Sequence, residues 1–86
     1  MYNYADEKQG LFTEEGQVMF LKIRDKALML LEKAGAFSMG AAISGMTGSS
    51  WRMLACVDRM VELGEIREIT DGGVWEQDRV FVKINR

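Results

Sequence analysis

The chain of 86 residues contains no histidine, no proline and a single cysteine, Cys56. Without histidine it has no imidazole to act as a base, to activate a serine or cysteine, or to bind a metal ion. One thiol can form neither an internal disulfide nor a zinc site, which is typical of a reducing compartment. We therefore expect a protein that is not an enzyme and uses neither a cofactor nor a metal, with Cys56 as a small buried residue.

The sequence also predicts no targeting or membrane segment. The N-terminus has no basic start followed by an apolar core, so it does not read as a signal peptide. The longest weakly charged stretch covers residues 34–57, where Arg52 is the only charge. Its glycines and serines indicate short helices and a turn rather than a membrane span. These observations predict a cytoplasmic protein.

The first strong element is a helix over residues 14–34. Thr13 is a suitable N-cap, acidic residues occupy the first turn where the helix dipole favours them, and Gly35 supplies a stop. Apolar residues recur at three- and four-residue spacing through this segment, which indicates one buried face. They are Phe20, Ile23, Ala27, Leu30 or Leu31, and Ala34.

Two shorter helices and a hairpin are predicted after it. Ser38 can cap a second helix over residues 38–44, residues 45–48 form a turn with two glycines, and Ser49 or Thr47 caps a third helix over residues 49–63. The spacing of the apolar residues then changes to the alternation that is typical of strands, over residues 65–70 and 79–84. The buried positions expected on the third helix are Met53, Val57 and Met60.

The two strands are joined by a predicted turn at residues 71–73. Residues 74–78 either extend the second strand or form the tip of a long hairpin loop. Alternation places Val80, Val82 and Ile84 on one face of the last strand. A lone hairpin is marginal in water, so we expect this one to lie against the helices.

The order of long helix, short helix, turn, third helix and hairpin resembles the winged helix-turn-helix family, over about residues 13–85. The residues that carry the resemblance, 38–69, read SMGAAISGMTGSSWRMLACVDRMVELGEIREI. The matching positions are Ala42, Ile43, Met46, Ser49, Met53, Val57, Met60, Gly64 and Ile66. In size the chain is similar to small fimbrial-operon regulators and small phage-encoded members of that family.

The resemblance implies an α+β fold of three helices followed by a β-hairpin wing. One domain would span residues 13–86, and residues 1–12 would be a flexible N-terminal arm that docks late, if it docks at all. The family places its third helix in the major groove of DNA and its wing on the backbone. Helix 49–63 would then read double-stranded DNA, and the hairpin over residues 65–84 would contact phosphates.

The first hypothesis for function is thus a small DNA-binding transcriptional regulator of phage or bacterial type. Side chains on the outward face of the third helix and on the hairpin are expected to reach DNA, because arginine and serine contact base edges and phosphates. They are Ser49, Ser50, Trp51, Arg52 and Arg59 on the helix, and Arg79 and Lys83, with Arg67, on the hairpin. Ala55 is expected on the same outward face, and Asp58 and Glu62 as solvated surface residues.

The charge distribution supports a second hypothesis. The chain has a net charge of −2, and no segment of it is basic, whereas DNA-binding proteins usually carry a basic stripe. DNA binding would therefore need a homodimer or a partner that supplies affinity. The alternative is a winged-helix protein–protein interaction module with no DNA binding of its own, which holds its partner through Trp51 or the segment from Tyr2 to Phe12.

The two tryptophans bear on both hypotheses. Trp51 either packs on a thymine methyl, anchors a protein partner, or folds back onto the turn or the wing. Trp75 is either an anchor at the wing tip or a residue packed within a strand.

Overall fold

A computed structural model describes residues 1–84 as four helices and one sheet of three short strands. The α+β class is confirmed; the predicted domain end at Arg86 lies outside the described residues. Two 3₁₀ turns, Lys8–Phe12 and Glu76–Asp78, accompany the main elements. The helices and strands are α1 (Tyr4–Glu7), α2 (Glu14–Ala34), β1 (Ala36–Ser38), α3 (Met39–Ile43), α4 (Ser50–Glu62), β2 (Ile66–Glu68) and β3 (Val80–Lys83).

The long helix α2 has the bounds that its sequence predicts. The Gly16 N–H donates a hydrogen bond of 3.0 Å to Thr13 Oγ1, so Thr13 is the N-cap. At the other end Gly35 adopts φ 78°, the left-handed conformation that ends a helix, and its N–H donates to the Leu31 carbonyl. The predicted buried face is confirmed at Ile23, Ala27 and Leu31, and Phe20 is partly buried. The expectation was wrong for Ala34, which is exposed because it is the last residue of the helix.

Serine caps begin the two shorter helices. Ser38 Oγ accepts from the Ala41 N–H at 3.2 Å, and Ser49 Oγ accepts from the Arg52 N–H at 3.4 Å. The three core positions expected on α4 are all buried, so the helical register is confirmed. They are Met53, Val57 and Met60.

The sheet contains one strand that the sequence does not reveal. The strand order is β1-β3-β2 with antiparallel pairing throughout, so the three residues of β1 add to the predicted hairpin. Phe81 of β3 is fully buried and stacks on Phe37 of β1, with ring centroids 5.4 Å apart. Val80 and Val82 do share a face, but it is the outer face of the sheet, because alternation along β3 turns Phe81 inward.

The core lies where α2, α4 and the sheet meet. It contains Ile23, Met60 and Phe81. Cys56 is buried among these residues, and desolvation raises the pKa of its thiol to about 12. Every buried side-chain nitrogen and oxygen within residues 1–84 has a hydrogen-bond partner. None of the helices in that range combines the length and apolar character that a membrane crossing requires.

The N-terminal arm, residues 1–12, packs against the helices, where the sequence suggested a loose segment. Leu11 is buried in the core between α2 and α4. The arm crosses α2 at Gly16, where a Cβ would lie 2.0 Å from the Gly10 carbonyl oxygen and 2.7 Å from Leu11 Cα. Gly16 therefore permits a backbone approach that no other residue allows.

Gly16→Ala tests this docking. Alanine normally stabilises a helix interior by about 1 kcal/mol relative to glycine. Here the added methyl group overlaps the arm backbone, so we expect the urea midpoint to fall and the arm to move away from α2. Urea unfolding followed by circular dichroism measures the first effect, and amide NMR shifts of the arm measure the second.

Gly72→Ala is the control, because a Cβ at Gly72 meets no atom within 4 Å. It should leave the midpoint nearly unchanged. A raised midpoint in Gly16→Ala, with unmoved arm signals, would contradict the close contact.

Candidate functional site

The two ends of α4 differ in accessibility. Ser49 and Ser50 at its N-terminal end are exposed, and Trp51 is 44% exposed. Arg52 is half-buried, because its side chain lies against the arm: a Cβ at Gly10 would come 3.0 Å from Arg52 Nε. The exposed surface of α4, the helix that is predicted to contact DNA bases, is therefore its first turn.

Beyond that turn the outward face of α4 is covered. Ala55, expected to face outward, is fully buried, so that expectation was wrong. The physical reason is the N-terminal arm, which packs on α4 with both α1 and the Lys8–Phe12 turn. On the far side of the helix, the core positions are occupied as predicted. In its middle, α4 is thus enclosed from both sides.

Two acidic residues of α4 hold the arm in place. The Tyr2 hydroxyl donates to Asp58 Oδ2 at 2.7 Å, and the Tyr4 hydroxyl donates to Glu62 Oε1 at 2.8 Å. Lys8 Nζ lies 2.8 Å from Glu62 Oε2. The expectation that Asp58 and Glu62 are merely solvated was therefore wrong. No local sequence pattern indicates these contacts, since more than fifty positions separate the partners.

The hydrogen bonds at Glu62 shift two pKa values. Donation by Lys8, then by Tyr4 and Arg59, lowers the pKa of Glu62 to about 2. Burial, together with the hydrogen bond to Glu62, raises the pKa of Tyr4 to about 12. The carboxylate and the neutral phenol are the forms that the contact requires, and both are therefore favoured near neutral pH.

Arg59, expected to reach DNA from α4, is engaged at this contact. Its Nη1 donates to Glu62 Oε1 at 2.5 Å, and its guanidinium carbon lies 5.3 Å from the centroid of the Phe12 ring. The Glu62 hydrogen bond raises the pKa of Arg59. The charge of Arg59 is thus shared with a carboxylate and with an aromatic ring of the arm.

Arg79 lies at the centre of a second group, the Arg79 cluster, formed with Asp58, Glu68 and Glu76. Its Nη2 is 2.8 Å from Asp58 Oδ1 and 2.8 Å from Glu68 Oε1, and its Nη1 is 2.9 Å from Glu76 Oε1. One cation with three carboxylates has a net charge of −2. The cluster ties α4, β2 and the Glu76–Asp78 turn to the residue that precedes β3.

The side chain of Arg79 is only 16% exposed. Partial burial alone would lower its pKa, but hydrogen bonds to Glu68 and Asp58 outweigh that effect and raise it. The same contact with Arg79 lowers the pKa of Glu68. The guanidinium also lies 5.3 Å from the Phe81 ring centroid, so the cluster rests on the core.

The remaining predicted contact residues are not brought together. Lys83 is exposed, but it pairs with Ile66 where the hairpin leaves α4, at the opposite end from the tip. The tip itself folds onto α3, because the Gln77 carbonyl oxygen lies 3.2 Å from a Cβ position at Gly40. Lys83 lies at the far end of the hairpin, and Arg79 is held in its cluster. The structure therefore does not bring these two hairpin cations together with the exposed first turn of α4.

Apolar side chains are exposed near the cluster. Ile69, Val74 and Trp75 are 51%, 40% and 78% exposed, and together we call them the hairpin tip surface. Trp75 is thus not packed within a strand, which was one of the two predicted alternatives. Trp51 precedes Asp58 by about two helical turns, so it lies on the same side of α4 as the Arg79 cluster. Trp51 therefore lies on α4 and Trp75 directly precedes the Glu76–Asp78 turn, and the cluster joins these two elements to each other and to β2.

Arg79→Ala tests the cluster as a structural centre. The substitution leaves three carboxylates facing one another without a cation, so we expect unfolding to become easier by about 1–3 kcal/mol at neutral pH. Protonation relieves that repulsion, and the difference from the wild type should shrink as the pH falls below 4. Lys83→Ala, which removes an exposed cation, should change the stability little. Equal effects of the two substitutions at neutral pH would contradict a central role for Arg79.

Glu62 makes arm docking dependent on pH. Its folded pKa of about 2 lies below the ordinary value of 4.5, so its contribution is present above pH 4.5 and is lost as the pH falls toward 2. We expect the amide NMR signals of the arm to shift through that window. In Glu62→Gln this transition should disappear, and its persistence would assign the pH dependence to another group.

Comparison of the chain with protein-family models, with curated proteins and with solved structures finds no match. Residues 1–84 also place no group of three or more histidine, cysteine, aspartate or glutamate side chains so that they could hold a metal ion. The case for a function therefore depends on the contacts, charges and exposed surfaces of the chain.

Proposed function

We propose that the chain is a winged-helix protein–protein interaction module that does not depend on DNA binding. The order of α2, α3, α4 and hairpin supports the winged-helix part of the proposal, since it is the order that the resemblance implies. The internal contacts of the arginines and the exposure of the tryptophans support the proposal of protein binding. A fold of this kind does not fix a function by itself, so the argument depends on these side chains.

The observation that carries the proposal is that two arginines expected to contact DNA are engaged within the chain. Arg59 is bound to a carboxylate and a ring, and Arg79 is shared by three carboxylates. DNA affinity comes largely from cations that replace counterions at phosphates. These side chains would have to break existing contacts before they neutralised any phosphate.

The local field also disfavours DNA. The Arg79 cluster keeps a net negative charge beside α4, and the arm adds exposed Asp6 and partly exposed Glu7 at the covered face. A negative potential repels the DNA backbone and slows association. A neutral or basic segment of a protein partner meets no such barrier.

Exposed aromatic surface favours a protein partner. Tryptophan is enriched at protein interfaces and among the residues that carry most of their binding energy. Trp51 and Trp75 are both exposed, and the ion-paired elements between them are held in place. The chain thus offers exposed aromatic anchors, whereas the cations of Arg59 and Arg79 are already ion-paired.

DNA binding is the second candidate, and the open first turn of α4 favours it. Ser49 and Ser50 are exposed at a helix N-terminus, where backbone N–H groups can face a phosphate. Arg52 would have to leave Gly10 to reach a base. A homodimer would add affinity, and α2 carries exposed apolar side chains for one. They are Val18, Leu21 and Met29.

Fluorescence anisotropy with a labelled random-sequence duplex at low salt distinguishes the candidates. We expect no binding by the wild type in the range of about 10⁻⁴ to 10⁻⁶ M that is typical of non-specific DNA binding. The double variant Glu68→Gln, Glu76→Gln releases Arg79 from two of its partners and is the matched comparison. It should gain salt-sensitive binding, because a cation becomes available.

Salt-sensitive binding by the wild type would contradict the proposal. If Arg52→Ala also weakens binding to a specific DNA site by about 1–3 kcal/mol relative to the wild type, the DNA-binding regulator is the better description.

A further inference from the structure

We infer that the hairpin tip surface binds a cationic segment of a partner protein, and that an apolar side chain of that segment packs on Trp75. The inference rests on the proposed protein-binding function and adds the chemistry of the partner. Three observations lead to it: the exposed apolar side chains, the backbone hydrogen bonds at both ends of the segment that carries them, and the charge around them.

The apolar part of the surface is large for its position. Trp75 is 78% exposed, and Ile69 and Val74 are also largely solvent-accessible. A tryptophan buries roughly 150–250 Å² when it is covered, and exposed apolar groups with a polar rim mark interaction sites. This surface has the composition of an anchor rather than of an ordinary turn.

Backbone hydrogen bonds hold both ends of the tip. The Asp78 N–H donates to the Trp75 carbonyl at 2.9 Å, and the Ile69 N–H donates to the Val80 carbonyl at 2.9 Å. On the α3 side, the Met39 N–H donates to the Arg79 carbonyl at 2.7 Å. Preorganisation of this kind lowers the entropy cost of binding.

The charge around the surface selects the partner. Residues 68–79 contain four acidic side chains and one basic side chain, Arg79, which is already shared with carboxylates. Asp71 and Asp78 are exposed and belong to no ion pair within residues 1–84. Arg67 bounds the surface on the side of the sheet. Complementarity therefore favours a basic segment and opposes nucleic acid or an anionic membrane.

The test uses two synthetic peptides of matched length as probes. One has leucines spaced among lysines, and the other has glutamate at each lysine position. Amide NMR spectra of the full chain are recorded during titration with each peptide. We expect the lysine peptide to shift signals of Ile69 and residues 74–78, and the glutamate peptide to shift none of them.

Three variants locate the contact. Trp75→Ala should weaken binding of the lysine peptide by roughly tenfold or more, as is typical of an aromatic anchor. Leu63→Ala is the control, because it removes an exposed apolar side chain at the C-terminal end of α4, away from the hairpin tip, and it should leave the affinity unchanged. The double variant Asp71→Asn, Asp78→Asn should weaken binding and reduce its dependence on salt.

The inference is overturned if the lysine peptide causes no shift at the hairpin, if both peptides shift it equally, or if Leu63→Ala weakens binding as much as Trp75→Ala does. The outcome is separable from that of the proposed function. Wild-type binding to duplex DNA would contradict the protein-interaction module. Absence of peptide binding together with absence of DNA binding would contradict only the chemistry assigned to the partner.

Discussion

The guanidinium of Arg79 is the contact on which the arrangement of the surface elements depends. It joins carboxylates of α4, β2 and the Glu76–Asp78 turn while it rests over the ring of Phe81. Asp58 also accepts the hydrogen bond of Tyr2, so the position of the N-terminal arm is linked to the same group. A single half-buried cation thus sets the orientation of the hairpin relative to α4 and supports the arm that covers it. Loss of the Arg79 guanidinium would leave its carboxylates unpaired. One of the joined elements therefore cannot easily move without the others.

This interaction also determines what the surface can recognise. A cation that is shared by three carboxylates is not available to phosphate, and Arg59 is engaged in a similar way by Glu62 and Phe12. The elements most suited to DNA are therefore acidic or covered, apart from the first turn of α4. What they expose instead is aromatic surface, at Trp51 and Trp75. The proposal of protein binding rests on the same contacts that oppose DNA binding.

Local features of the fold were predictable, and long-range ones were not. The bounds of α2, the caps at Thr13, Ser38 and Ser49, and the buried face of α4 follow from spacing and capping within a few residues. By contrast, β1 is a strand of three residues whose only reason to form is its partner β3. Burial of Ala55 and the roles of Asp58 and Glu62 depend on an arm more than forty positions away in the chain. Docking of the arm depends on the close approach of its backbone to α2 at Gly16, which the spacing of apolar residues does not indicate.

The most direct test of the account is the side-chain NMR signal of Arg79 Nε–Hε, recorded with and without random-sequence duplex DNA at low salt. The expected result is a sharp signal that differs from that of exposed Arg67 and does not move when DNA is added. A signal that shifts with DNA, together with those of Ser50 and Arg52, would show that Arg79 is available to phosphate. That result would contradict the central claim that its charge is held within the protein.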